Sequence, residues 1–567
     1  MVQKNYNELY SEGIANLRAN DLNKALNIFK KLNKEMPKEI TILNLLAEIH
    51  IKKDLIIEAI KFLEKSIHID SRQDSVLLNL GLLYFQLNQN DLAMQFISRA
   101  KLIGNKNTQI NLNLGIILLK INKIEPAIQE FEEGLLIEKN NFLLNFNLGL
   151  AYQKQGDDTQ AETYLRKCQQ IQPNSYDVCI TLSNIYSDQN SYEKALVLCD
   201  EALKINKTAD AFCNRGILNH YLENYAGALK DYDQSIQLQN GYVRALFNKS
   251  ITFLKIKDFE NGWDLYNSRW NTPSYKSIKE SFPKNKKKWD GTKVNILFLI
   301  SEQGIGDQIL FSSYLDELKP YCKKLIIALD QRLINLYQRY YPDIEFISNN
   351  LKKYDFSFEA FLPLGDLCQI FRRTESSFKP KKTFLKANKN QVVDIKQQLN
   401  SLLNGNKKII CGLSWRSINT AYDKDKSLDL EFLIENIDFK NINFINLQYG
   451  NVAKEIKNIK KKYNLDIHQF ESIDNFNDID GLCSLIDACD LIISTSNVTV
   501  HLASALGKDV RLLLNKNSPW WWFINQTNSL WYESCTIYRN TDSWKKTFNQ
   551  LNNDLKKLIK IHNQLKN

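Results

Sequence analysis

The sequence predicts an all-helical repeat array followed by two α/β lobes. Three observations carry this: small residues recur every 34 positions through the first half, the period is lost after Trp270, and short apolar runs alternate with amphipathic stretches from Val294 onward. A chain of 567 residues is too long for one hydrophobic core, which agrees with several units in series.

The repeat comes first. Alanines stand at Ala25, Ala59, Ala93, Ala127, Ala161 and Ala195, and Ala228 and Gly262 continue the series. Twelve residues before each lies another small residue: Gly13, Ala47, Gly81, Gly115, Gly149, Ser183, Gly216 and Ser250. Small side chains at two fixed points let antiparallel helices approach closely, while large ones such as Tyr84, Tyr152 and Tyr186 fill the layer between repeats. This is the tetratricopeptide (TPR) pattern, about eight copies over residues 6–273. Such pairs stack into a superhelix, because none buries its apolar side alone. A protein or peptide partner is expected on its concave face; a spacer or a dimerisation arm, hence a homo-oligomer, is the alternative. Asn79, Asn113 and Asn147 either hydrogen-bond an extended peptide there or face solvent.

Residues 274–292 are polar and charged and read as a linker. The run from Val294 to Ile300 reads as a buried parallel strand, with further strands at 324–329 and 344–347, and a second set at 408–415, 442–449, 465–470, 490–495 and 509–514. Strands alternating with helices predict two Rossmann-like lobes, 293–387 and 388–567. Ligands then bind at the carboxyl ends of the strands, in the cleft between lobes.

The first such end carries Gln303, Gly304, Gly306 and Asp307 in a chain with only 20 glycines. The glycines permit positive φ and close approach of another molecule, and a helix over Gln308–Leu318 would favour an anion at its start. Asp307 either caps that helix or acts on a ligand. The spacing is neither a dinucleotide fingerprint nor a P-loop. A second turn, Ser494 to Asn497, opens a helix closed by Gly507, with His501 on the same face as Asn497; it reads as an anion site or as a cap beside a partly buried histidine.

Bulk composition excludes several classes. No stretch approaches the ~20 apolar residues of a membrane span, and the N-terminus has no apolar leader, so a cytoplasmic location is expected. Ten cysteines without a C-x-x-C pair fit buried thiols in a reducing compartment, not a zinc site. The net charge of +10 comes from lysine, but the cluster Lys284–Lys288 has no aromatic and basic motif beside it, so a nucleic-acid partner is not expected. The D-x-D triplets Asp423–Asp425 and Asp478–Asp480 read as loop residues, and no metal is expected.

Taken together, "ENGWDLYNSRW", "EQGIGDQILFSSYLDEL", "GLSWRS", "INLQYG", "LIDACDLIISTSNVTVHLASALGKDV" and "SPWWWF" make the second half resemble the heptosyltransferase-like (family 9) glycosyltransferases of the GT-B fold, in the branch where that domain follows a TPR array. The resemblance implies transfer of a sugar from a nucleotide-sugar to a hydroxyl of a protein or other large acceptor, with no bound metal or other cofactor. It implies Asp307 as catalytic base, with Gln303, Gly304 and Gly306 as the acceptor loop. It implies Trp415, Arg416, Ser417, Lys426, Gln448, Ser496, Asn497 and His501 on the donor side. Core packing of Trp415 and plain surface cations at Arg416 and Lys426 are the alternative readings. The chain departs from the family pattern at Ser496 and Asn497, where Asp-Thr is common, and at Trp521, where arginine often stands between two tryptophans. A lipopolysaccharide-type sugar transferase and a TPR scaffold with a retired transferase domain are the competing functions.

Overall fold

The computed structural model describes residues 2–104, 107–350, 356–405, 408–417 and 426–566. It divides into two compact units, Met1–Ala211 and Phe212–Asn567.

The first unit is a run of antiparallel helix pairs, from Val2–Arg18 with Leu22–Glu35 to Tyr176–Asp188 with Tyr192–Ile205. The small residues do what their spacing requires. Ala25, Ala59, Ala93, Ala127, Ala161 and Ala195 are wholly buried. A Cβ added to Gly115 would stand 2.3 Å from Phe131 on the partner helix, and at the equivalent place Ser183 Oγ donates to the Ala195 carbonyl at 2.8 Å. Each turn within a pair holds one residue in the left-handed region, at Asn20, Asp54, Asn88, Asn122, Gly156 and Asn190. Asn, Asp and Gly are the residues that tolerate that conformation, so the turn repeats with the helices. Asn147 donates to the Leu143 carbonyl of its own helix at 2.8 Å, whereas Asn79 is exposed.

The second unit begins at Phe212, inside the first turn of the Ala209–Tyr221 helix, which pairs with Tyr225–Leu238, and continues with Val243–Lys255 and Phe259–Tyr266. These last two pairs repeat the same device, Ser250 Oγ donating to the Gly262 carbonyl at 2.8 Å. They therefore group with the α/β region rather than with the rest of the array. The stretch expected to be a linker holds the helix Pro273–Glu280 and a short strand, β1 (Lys287–Lys288). Proline at the first helical position starts the helix, and Trp289 buries itself beside the strand.

Two parallel sheets follow. The first is built from β1, β2 (Val294–Ile300), β3 (Cys322–Leu329), β4 (Glu345–Ser348) and β5 (Ala360–Pro363), in the order β1-β5-β2-β3-β4. The second is built from β6 (Ile409–Ser414), β7 (Ile442–Asn446), β8 (Ile467–His468), β9 (Leu491–Ser494), β10 (Asp509–Leu514) and β11 (Cys535–Arg539), in the order β11-β10-β9-β6-β7-β8. From β2 in the first sheet, which follows the edge strand β1, and from β6 in the second, the chain runs outward one way and then returns to the other side. The switch points lie beside β2 and between β6 and β9. That topology fixes where a ligand site forms: at the carboxyl ends of those three strands.

Candidate functional site

β2 leads into the turn containing Gly304 and then the helix Ile305–Phe311; β9 leads into Asn497 and the helix Val498–Ala505. The two helices pack against each other, and Gly306 is what lets them: a Cβ there would lie 3.0 Å from His501 Cδ2. The expectation of positive φ fails at both glycines, since Gly304 has φ −62° and Gly306 is inside a helix that starts three residues earlier than expected. What approaches Gly306 closely is a histidine of this same chain.

Two cavities open at this junction. The smaller, about 270 Å³, is walled by Gly306, Ser417, Ser496, Asn497, His501 and residues of the two strand ends. The larger, about 860 Å³, is walled by Gln303 and Gly304, by Lys516–Trp521, and by Arg244, Phe247, Asn248, Ile251 and Lys255. Those last five fall on one face of the Val243–Lys255 helix, so a repeat helix forms part of the wall. Three described residues line both cavities: Asp307, Lys426 and Trp521.

Asp307 is the third residue of its helix, and Gly304, not Asp307, occupies the N-cap. Burial pushes its carboxyl up to about 6, against the pull of Lys426 and of the backbone N–H groups of Gly304 and Asp307. A carboxyl in that range accepts a proton readily near neutral pH. Lys426 Nζ stands 5.0 Å from the centre of the Trp521 ring, a cation–π contact. His501 is buried, hydrogen-bonded through Nδ1 to the Tyr532 hydroxyl at 2.8 Å and stacked on Trp522. Burial, with Lys426 adding, holds the ring down at about 3, so it is neutral at physiological pH.

Several expected donor-side residues have partners within the chain. Trp415 is buried in the core and its Nε1 donates to Glu455 at 2.9 Å; Arg416 pairs with the same carboxylate at 2.6 Å, and neither lines either of these two cavities. Gln448 is buried too, its Oε1 accepting from Ser414 Oγ and from the backbone N–H groups of Trp415 and Arg416. It ties the ends of β6 and β7 together. Ser496, Asn497 and Ser417 do line the smaller cavity, but Asn497 spends its Oδ1 on the Thr499 N–H and its Nδ2 on Ser414 Oγ, and Ser496 Oγ accepts from Trp522 Nε1. Asn497 is thus the helix cap that the sequence offered as one alternative. Asp478 caps a helix by accepting from the Gly481 N–H, and Asp480 pairs with Arg339; Asp423–Asp425 lie outside the described residues. Among the described residues no three His, Cys, Asp or Glu side chains converge as metal ligands. Of the lysine cluster, Lys286 donates to the Phe358 carbonyl, Lys287 pairs with Asp290 and Lys288 with Asp366.

Sequence reasoning missed the support beneath the turn. Arg269, wholly buried between the rings of Tyr266 and Trp270, pairs with Glu302 at 3.1 Å and with Asp366. Glu302 also accepts from the Gly365 N–H at 3.1 Å and borders the larger cavity. Burial pushes its carboxyl up to about 7, with Arg269 opposing and Asp366 adding to the rise. It also missed Arg332, which borders the smaller cavity from the end of β3 and pairs with Asp330. The signal for Arg332 was its place just past a strand's carboxyl end.

Comparisons with known proteins bear on the first part. Models of the tetratricopeptide repeat match residues 144–175 and 178–209, and a model of the ChAPs (Chs5p-Arf1p-binding proteins) matches residues 7–132. The first half is a tetratricopeptide array, and such an array is a scaffold for protein interaction. Protein FlbA of Caulobacter vibrioides is 25% identical over 396 residues, 65% of each chain. That match is longer than the helical array, so it runs into the α/β region, and the chain spans 65% of that relative's length. Solved structures similar to this chain include a tetratricopeptide repeat protein from Parabacteroides merdae (14% identical, 44% of this chain, 99% of that one, TM-score 0.37). They also include YrrB, described as a TPR protein with an unusual peptide-binding site (22% identical, 33% and 97%, TM-score 0.29), and MamA (21% identical, 30% and 92%, TM-score 0.29). Among the described residues no helix is long and apolar enough to cross a membrane.

Proposed function

We propose that the chain is a glycosyltransferase of GT-B arrangement, moving a sugar from a nucleotide-sugar to a hydroxyl of a protein acceptor held by the helical array. The observation that carries this is the junction of two cavities at Asp307, Lys426 and Trp521. A transfer needs two compartments that share one point, with a proton acceptor and a cation at that point. The smaller cavity takes the nucleotide and the larger takes the acceptor. Asp307 removes the acceptor hydroxyl's proton as the oxygen bonds to the anomeric carbon. The bond from that carbon to the phosphate oxygen breaks, and its electron pair leaves with the phosphate. Lys426 offsets the phosphate's charge, so the reading needs no metal. That one wall of the larger cavity is a repeat helix supports a protein acceptor over a lipid-linked sugar. The ten cysteines form no disulfide, which fits a cytoplasmic setting.

The experiment is nucleotide release from ADP-, UDP-, GDP- and CMP-sugars by the purified chain with a cell-protein fraction as acceptor. Release with one donor that falls about 100-fold or more in Asp307→Asn supports the reading. Full release in Asp307→Asn, or none in the unaltered chain, overturns it. The second outcome leaves a scaffold with a retired transferase domain, a reading favoured by the internal hydrogen bonds that occupy Asn497 and Ser496.

A further inference from the structure

Two facts about Trp521 stand apart from the rest of the tryptophan triplet. Trp520 and Trp522 are buried, Trp520 bordering the larger cavity alone, but Trp521 borders both cavities. Its indole N–H is buried with no hydrogen-bond partner, an arrangement that costs stability. Trp521 packs against the core with only part of its ring, and the rest reaches the place both cavities share.

The volumes say what it meets. About 270 Å³ is below the range of pockets that enclose a whole drug-sized ligand, whereas about 860 Å³ is within it. A nucleotide-sugar seated by its nucleotide in the smaller cavity must therefore extend its sugar past Asp307, Lys426 and Trp521. We infer that Trp521 and Lys426 form the subsite for the transferred sugar, the indole packing against the apolar C–H groups of a pyranose ring and the ammonium donating to its hydroxyls. This rests on the function proposed above. The indole supplies rigid apolar area at little entropic cost, and the ammonium above it, held by the cation–π contact, fixes the ring's orientation. The subsite selects the sugar independently of the nucleotide.

The test separates those two contributions. Calorimetry on the full chain measures the affinity for the nucleotide-sugar that binds best among the ADP-, UDP-, GDP- and CMP-sugars, and for the same nucleotide without its sugar. In the unaltered chain the sugar should add about tenfold. Trp521→Ala should erase that factor and leave the free nucleotide within about threefold. Trp521→Phe, which removes the unpartnered N–H and keeps a ring, should melt at a higher temperature and retain most of the factor. Should Trp521→Ala fail to fold, Trp521→Leu carries the same comparison without a ring. A sugar factor unchanged in the ring-less variant overturns the subsite and leaves the transferase reading intact. No nucleotide-sugar binding in the unaltered chain removes both.

Discussion

Asp307 holds a carboxylate where burial disfavours one, and both its reactivity and its cost follow. With its folded pKa raised from the ordinary 3.8 to about 6, the proposed transfer should show an acid limb that bends near pH 6, the rate rising with pH as Asp307 ionises. Replacing Lys426 with methionine removes a charge that pulls that value down, so the limb should move to higher pH. Stability runs the other way. A carboxyl whose pKa is raised on folding binds its proton more tightly in the folded state, so the fold loses stability as pH climbs from 3.8 through 6. Asp307→Asn should therefore be more stable than the unaltered chain at pH 8, by on the order of 2 kcal/mol for a carboxyl that is partly open to solvent, and the gain should shrink at pH 5. Denaturant melts at the two pH values check this. A variant less stable at pH 8 would contradict the burial argument.

At the scale of elements, two helices meet because one of them carries a glycine. Gly306→Val should lower stability by about 1–3 kcal/mol and weaken nucleotide-sugar binding. His501 cannot give way, being stacked on Trp522 and hydrogen-bonded to Tyr532. Gly304→Ala, whose Cβ would meet nothing nearer than Asp307 Oδ2 at 3.6 Å, should stay within about 0.5 kcal/mol. Urea titration of both variants distinguishes this from a purely conformational role for the glycines, in which Gly304→Ala would suffer as much. The helical array was legible in the sequence because its period repeats a packing constraint, and even the left-handed turn residues recur with it at Asn20, Asp54, Asn88 and Asn122. Most buried strands were legible as apolar runs. β5 was not, being four residues long and ending in proline, nor was β11. The candidate site was half legible. Strand ends located Asp307, Ser496, Asn497 and His501, but no one-dimensional pattern separates a tryptophan or glutamine that staples strands, such as Trp415 or Gln448, from one that meets a ligand. Nor does it show that Arg269, 33 residues upstream of Glu302, pairs with it in the core.

For the whole molecule, the boundary between units falls inside the array and not at its end. The last two helix pairs and the short 3-10 turn Asn267–Asn271 after them supply Arg269, the hydrogen bond from Trp263 to the Arg372 carbonyl, and a wall of the larger cavity. A fragment of residues 206–567 should bind nucleotide-sugar within about threefold of the full chain. A fragment of residues 274–567 should not, because removing Arg269 leaves Glu302 and Asp366 without their buried partner, at a cost of about 3–5 kcal/mol. Equal binding by both fragments would show that the repeats are only an appendage. The central claim, a donor site at the junction of the two sheets, is tested most directly by the thermal stability of the full chain with ADP-, UDP-, GDP- and CMP-sugars in turn. A donor present at 100 times its Kd adds about 2.7 kcal/mol to the folded state. The account predicts a clear rise in melting temperature with one of them, lost in Gly306→Val. A well-folded chain whose melting temperature no donor moves would contradict it.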